Sequence, residues 1–165
     1  MTPLQTIQSK IFGSKQTFMP LLAKWRQAGK SIVFTNGCFD LIHRGHIDSL
    51  SKAAVFGDKL VVGLNSDTSV KFLKGKNRPL IDQQSRAIML ASLIMVDAVV
   101  IFDEETPYEL IKSILPDVLV KGSEYMLEEI AGYDIVLAEG GRVERIDLTQ
   151  GFSTSALIDK IKNEL

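Results

Sequence analysis

Two histidines three positions apart, His43 and His46, enclose Arg44 and Gly45 at the end of the run Asn36-Gly37-Cys38-Phe39-Asp40-Leu41-Ile42-His43-Arg44-Gly45-His46. Phosphate binding is the chemistry this spacing suits. Imidazoles where a strand gives way to a helix add N–H donors to the helix's own unpaired backbone N–H groups and the positive end of its dipole. Gly37 and Gly45 omit Cβ atoms where backbone and ligand would approach closely. A metal site fits poorly, because the chain has 2 histidines and 1 cysteine in all, short of a ligand cluster. The run contains neither the G-x-G-x-x-G of a dinucleotide site nor the Lys-Ser/Thr of a Walker loop. Cys38 as a nucleophile would need a base other than the two histidines. The plain alternative is a pair of satisfied structural histidines.

Other polar segments join this one. Gly151-Phe152-Ser153-Thr154-Ser155 precedes an apolar helical stripe (Leu157, Ile158, Ile161). Its hydroxyls are either N-caps alone or a second phosphate cradle. Lys74, Lys76 and Arg78 lie in Lys74-Gly75-Lys76-Asn77-Arg78-Pro79, where Gly and Pro forbid regular structure. The segment reads as a mobile basic loop, either merely solvated or closing over a triphosphate. Lys121-Gly122 follows an apolar strand, as an exposed strand-end lysine or a site residue. Asp40 and Asp67 have ordinary uses as turn or cap residues, and Arg86 as a helix-surface partner.

The elements that must position these residues alternate. A helical lead-in at 1–30, with Phe18, Leu21, Leu22 and Trp25 at helical spacing, ends at Gly29. Strands are expected at Ile32–Phe34, Leu60–Leu64, Val96–Phe102, Asp117–Val120 and Val143–Leu148. Leu60–Leu64 and Val96–Phe102 are continuous apolar runs, the mark of a parallel sheet buried on both faces. Helices open at His43, at Ser66 or Asp67, after Asp82, at Thr106-Pro107-Tyr108-Glu109 (a capping box with Pro at the first helical position) and after Ser153. The sum is an α/β chain with a Rossmann-like open, mostly parallel sheet of about five strands and helices on both faces. Ligands of such sheets bind beyond the carboxyl ends of the strands, where the histidine turn, Asp67, Lys121-Gly122 and the Ser-Thr-Ser turn all fall.

Composition bounds the partners. The 165 residues carry a formal net charge of -1 and 45% hydrophobic residues, so no global field favours nucleic acid or an acidic membrane. There is no secretory signal pattern and no disulfide framework, and a cytoplasmic location is the expectation.

At these residues the chain resembles a family. FTNGCFDLIHRGH, GLNSD, LKGKNRPL, FDEETP, VLVKGSEY and GGRVERIDLTQGFSTSALI occur in order from about Ile32 onward. They resemble the D-glycero-β-D-manno-heptose 1-phosphate adenylyltransferases, within the nucleotidyltransferases that carry an HxGH motif. The resemblance implies a nucleotidyltransferase domain over 31–165 that moves AMP from ATP to the sugar 1-phosphate, with Mg²⁺ accompanying ATP. His43 and His46 would bind and stabilise the ATP phosphates, and Lys74 would close over the transferring group. Asn36, Gly37, Phe39, Gly45, Lys121, Gly122, Gly151, Ser153 and Thr154 would surround the nucleotide, the last two at its β/γ end. Asp40, Asp67, Arg78 and Arg86 would face the sugar phosphate, and no protein metal-ligand set is implied. Relatives often carry a sugar kinase domain, so a separate heptose kinase is the expected supplier. A homodimer through the lead-in is open. The related cytidylyltransferases acting on glycerol 3-phosphate or phosphocholine typically read Gly-Thr-Phe-Asp where this chain reads Asn36 to Asp40. A non-catalytic ATP-binding module is the remaining alternative.

Overall fold

The computed structural model describes residues 1–164. Its strands are β1 (Ile11–Phe12), β2 (Ile32–Gly37), β3 (Lys59–Asn65), β4 (Ala98–Phe102), β5 (Val118–Gly122) and β6 (Arg142–Ile146). Its helices are α1 (Pro3–Gln8), α2 (Lys15–Gln27), α3 (Arg44–Ala54), α4 (Asp67–Lys74), α5 (Gln83–Ala91), α6 (Tyr108–Ile114), α7 (Tyr133–Ala138) and α8 (Thr154–Glu164). The strands form one sheet in the order β1-β4-β3-β2-β5-β6, every neighbouring pair parallel. β2 has β3 on one side and β5 on the other, so chain connections diverge there. The crevice beyond the carboxyl ends of β2 and β5 is the switch point of a doubly wound fold.

Alternate residues of each strand serve opposite cores. Val33, Val62, Val99 and Val120 face α3 and α5 through Leu50, Ala53, Ala87 and Leu90. Phe34, Val61, Val100 and Leu119 face α2, α6 and α7 through Phe18, Leu22, Ile111 and Val136. Burial on both faces is why β3 and β4 read as unbroken apolar runs.

Six strands replace the expected five. The extra one, β1, lies inside the lead-in, which is therefore not wholly helical. Two residues carry no readable periodicity; β1 forms because the far edge of β4 needs backbone partners. Val99 N–H donates to the Lys10 carbonyl at 2.8 Å, and Ile11 and Phe12 pair with Val99 and Val100. Phe12 then meets the Phe18 ring edge-on at 5.2 Å, tying the lead-in to the core.

Caps divide similarly. Ser66 and Asp82 cap α4 and α5, accepting from the Ser69 and Ser85 backbone N–H at 3.2 and 3.0 Å. At α6 the expected capping box does not form. The helix begins one residue later, with Pro107 at the N-cap, and Pro offers no side-chain acceptor. β2 also continues through Thr35, Asn36 and Gly37, paired to Val62, Gly63 and Leu64, where a turn was expected. Among the described residues no helix is long and apolar enough to cross a membrane.

Candidate active site

β2 delivers the histidine segment, and the turn that follows is unusual at Phe39. This bulky residue sits at φ +48, a left-handed conformation that is costly for a side chain of its kind and persists when its surroundings over-determine it. Here the ring is buried, lies against the Gly37 α-carbon, and tilts on the His46 ring at 5.2 Å between centroids. A Cβ on Gly37 would come within 2.9 Å of that ring. Gly37 is required for this close approach.

α3 starts with His43 at its N-cap and His46 in the first turn. The two imidazoles stack at 3.9 Å, 24° apart. His43 N–H donates to His46 Nδ1 at 3.3 Å. A hydrogen bond received at Nδ1 puts the proton of neutral His46 on Nε2, leaving an N–H donor for a ligand. Burial, seconded by the adjacent His43, lowers the His46 pKa from 6.5 to about 4. The free protein therefore holds His46 neutral at pH 7. Burial also lowers His43, whose Nδ1 has no hydrogen-bond partner. Gly45 explains its own place: a Cβ there would meet the His43 ring and the Phe152 Cβ at 3.0 Å each.

These groups border a cleft of about 570 Å³, within the range of small-ligand sites. His46, Asn36, Gly37, Phe39, Asp40 and Cys38 line it from β2 and α3; Lys74 and Arg78 from the basic loop; Lys121 and Gly122 from β5; Ser153 and Thr154 from the start of α8. Four chain segments remote in sequence thus meet at the switch point. Lys121 is held over the end of β2, its Nζ donating to Asn36 Oδ1 at 3.0 Å. Burial lowers the pKa of this ammonium, with Glu124 and Cys38 opposing the shift. Burial likewise raises the Cys38 thiol, outweighing the cations around it. A neutral thiol is a poor nucleophile.

At α8, Ser153 accepts the Ala156 N–H at 3.0 Å, an N-cap, and Thr154 Oγ1 donates to the Leu41 carbonyl at 3.2 Å. The hydroxyls thus fix the helix start against the histidine turn, and Ser153, Thr154 and Ser155 at that start line the same cleft.

The structure does not bring every predicted residue to the cleft wall. His43 and Gly45 lie behind it, in the packing of the histidine turn against α8; Gly151 is exposed, at φ +85 with nothing within 4 Å of where its Cβ would be. Arg86 departs most from expectation. It is 0% exposed and donates to the Ile81, Cys38 and Asn65 carbonyls at 2.9, 2.6 and 2.8 Å and to Asp67 Oδ1 at 2.7 Å. Four of its five N–H donors are thereby occupied, so the buried Arg86 ties strand ends together and engages the partly exposed Asp67, and is not seated toward a sugar phosphate. Asp40 is buried too, and accepts from Arg78, Leu80 and Ile81.

Several cleft residues were not anticipated: Ser49, Glu105, Glu124 and Tyr125. Ser49 was findable, one helical turn after His46. Tyr125, whose ring lies 5.4 Å from Lys121 Nζ, follows Lys121-Gly122 closely enough to have been suspected. Glu105 lies within FDEETP, but nothing local assigns its side chain to the cleft, since the loop after β4 is placed by a tertiary bond from the Ser69 hydroxyl to the Glu104 carbonyl at 2.8 Å.

A family model described as cytidylyltransferase-like matches residues 34–157, from within β2 to within α8. The chain belongs to the cytidylyltransferase-like family. It is a nucleotidyltransferase by that membership, and the cleft lies inside the matched span. Among curated proteins, this family member is 50% identical over 149 residues to the Bifunctional protein HldE of Azorhizobium caulinodans, covering 90% of this chain and 31% of that one. It is 52% identical over 147 residues to the Bifunctional protein HldE of Syntrophotalea carbinolica, covering 89% and 30%. The chain spans about a third of the length of the curated relatives it matches. A solved structure, the lipopolysaccharide core biosynthesis protein from Thermoplasma volcanium, superposes with TM-score 0.60 at 27% identity, over 73% of this chain and 98% of that one. Pantoate-beta-alanine ligase from Francisella tularensis, TM-score 0.60 at 15% identity over 85% and 67%, shares the fold.

Proposed function

We propose that this nucleotidyltransferase transfers AMP from ATP to D-glycero-β-D-manno-heptose 1-phosphate, giving ADP-heptose and pyrophosphate. The observation that carries the transfer chemistry is the convergence of the His46 imidazole, the N-terminus of α8 and the Lys74 loop on one cleft. The sugar is supported by the motifs that resemble the heptose family and by the relatives named Bifunctional protein HldE at about half identity.

The acceptor phosphate is mostly dianionic near neutrality, its second pKa being about 6, so it needs no protein base. Its oxygen attacks the α-phosphorus of ATP in line. The new P–O bond forms as the bond to the bridging oxygen of the β-phosphate breaks, and the electron pair leaves with pyrophosphate. Catalysis is then positioning and charge neutralisation. His46 donates Nε2–H to a phosphate oxygen, and the anion beside it favours taking up a proton. The backbone N–H groups at α8 hold the β/γ end. Lys74 is exposed at the end of α4, with no hydrogen bond or ion pair among the described residues, free to meet the transferring group. Arg78 adds a second cation on the acceptor side.

Mg²⁺ is expected to travel with ATP, neutralising phosphate charge while keeping water ligands. Among the described residues no group of three or more His, Cys, Asp or Glu is arranged to hold a metal ion, and the Asp40 carboxylate is already occupied. The sugar 1-phosphate itself requires a prior phosphoryl transfer, assigned to a heptose kinase. A cytoplasmic setting and a homodimer belong to the same proposal.

The test is pyrophosphate release with heptose 1-phosphate or glycerol 3-phosphate, each offered with ATP or CTP. Release confined to ATP with the heptose supports the proposal. Release with CTP and the glycerol compound keeps the transfer chemistry and refutes both substrates. Tight ATP binding with no release in any pairing points to a non-catalytic module.

A further inference from the structure

Asp40 is a charged side chain that the proposed chemistry leaves unused. It is 2% exposed, and a carboxylate so buried must find hydrogen-bond donors. All of its donors come from one short segment on the far side of the basic loop. Arg78 Nε lies 2.5 Å from Oδ2. The Leu80 N–H reaches Oδ1 at 2.8 Å and Oδ2 at 2.9 Å, and the Ile81 N–H reaches Oδ1 at 3.0 Å. Burial alone would raise this carboxyl; the Ile81 and Leu80 N–H groups and Arg78 outweigh it and hold it below its ordinary value. The same segment is gripped through its carbonyl side, since Ile81 O accepts from the buried Arg86. Arg86 in turn binds the carbonyls of Cys38 and Asn65, after β2 and at the end of β3.

The other end of the loop is also fixed. α4 is anchored by the buried Ser69 and Val70, and the Gly75 N–H closes its last turn on Lys71 O at 2.9 Å. Between these anchors Lys74, Gly75, Lys76 and Asn77 are exposed and make no side-chain hydrogen bond among the described residues. Gly75 stands at φ +97 with nothing within 4 Å of where its Cβ would be, a pivot with open space around it.

We propose that Asp40 is a positioning residue: it clasps the 78–81 segment onto the end of β2, confines movement of the basic loop to Lys74–Asn77, and so aims Lys74 over the cleft. Phe39 couples this clasp to His46. Its left-handed backbone turns Asp40 toward the loop while its ring rests against the His46 imidazole. The loop and the histidine are thus registered by adjacent residues of one turn. The kinetic part of this inference rests on the adenylyl-transfer reading; the clasp itself does not.

The experiment has a structural and a kinetic arm. Asp40→Asn keeps shape but sets an amide against donors, and Arg78→Gln removes one donor should the first variant fold poorly. In ligand-free protein, trypsin cleavage after Lys74 and Lys76 should quicken about fivefold in either variant while the melting transition stays cooperative. Arg78, followed by Pro79, stays resistant. In pyrophosphate release, Asp40→Asn should lower kcat about tenfold with a much smaller change in the KM for ATP, as expected for lost orientation. On a Lys74→Ala background the same substitution should add less than about twofold, because Asp40 acts through Lys74. Unchanged loop cleavage in both variants overturns the clasp. Effects of Asp40→Asn and Lys74→Ala that multiply in full overturn the aiming of Lys74. Failure of the wild-type protein to release pyrophosphate refutes the adenylyl-transfer reading instead, and the cleavage arm then decides the clasp alone.

Discussion

Lowering the pH from 7.5 to 5.5 should destabilise the protein through His46, and the size of the effect follows from its environment. Its pKa is 6.5 when free and about 4 in the fold, because the ring is buried and stacked on His43. A depressed folded value means the unfolded chain binds protons more readily. The contribution of His46 to stability is therefore complete above pH 6.5 and is lost as pH falls through about 4. At pH 5.5 the loss, reduced by solvent screening of the partly exposed ring, is on the order of 1 kcal/mol, and at pH 7.5 it is close to nothing. Urea melts of wild type and His46→Gln at the two pH values measure it. The wild type should lose roughly 1 kcal/mol more than the variant between them. His43 titrates in both proteins, so the difference belongs to His46. Parallel losses would refute the buried, neutral His46 and, with it, the assignment of its Nε2–H as the ligand-facing donor. The same logic gives a binding signature. A non-hydrolysable ATP analogue places anionic oxygens at Nε2, so the His46 titration followed by NMR should move upward on binding.

Two further substitutions test the packing of the site. Gly45→Ala gains at most about 1 kcal/mol of helix propensity but puts a Cβ 3.0 Å from His43 and Phe152, an overpacking that costs about 1–3 kcal/mol; a small fall in melting temperature with a larger loss of ATP affinity by calorimetry is expected, and unchanged affinity would show that the His43–Phe152 contact does not shape the site. Arg86→Met leaves the Cys38, Asn65 and Ile81 carbonyls and Asp67 without their donor, and should cost about 3 kcal/mol in urea melts; a loss below about 1 kcal/mol with impaired turnover would return Arg86 to the substrate side.

Sequence alone determined what is local or periodic. Unbroken apolar runs marked β3 and β4 as doubly covered strands, because strands buried on both faces have no polar side to alternate with. The histidine spacing marked a helix start suited to phosphate, because His43 and His46 need only one helical turn to come together. Ser66 and Asp82 were readable as caps because their partners lie three residues away. Tertiary structure decided what depends on partners far along the chain. β1 exists only because β4 offers it an edge, across 88 positions between Ile11 and Val99. Asp40 and Arg86 look like residues aimed at a ligand until the fold surrounds them. Burial then obliges each charge to find its partners inside the protein, so the two become the ties that hold the cleft's loops in place. The motif singles out residues around one turn, but only packing separates those that line the cleft from those held behind it.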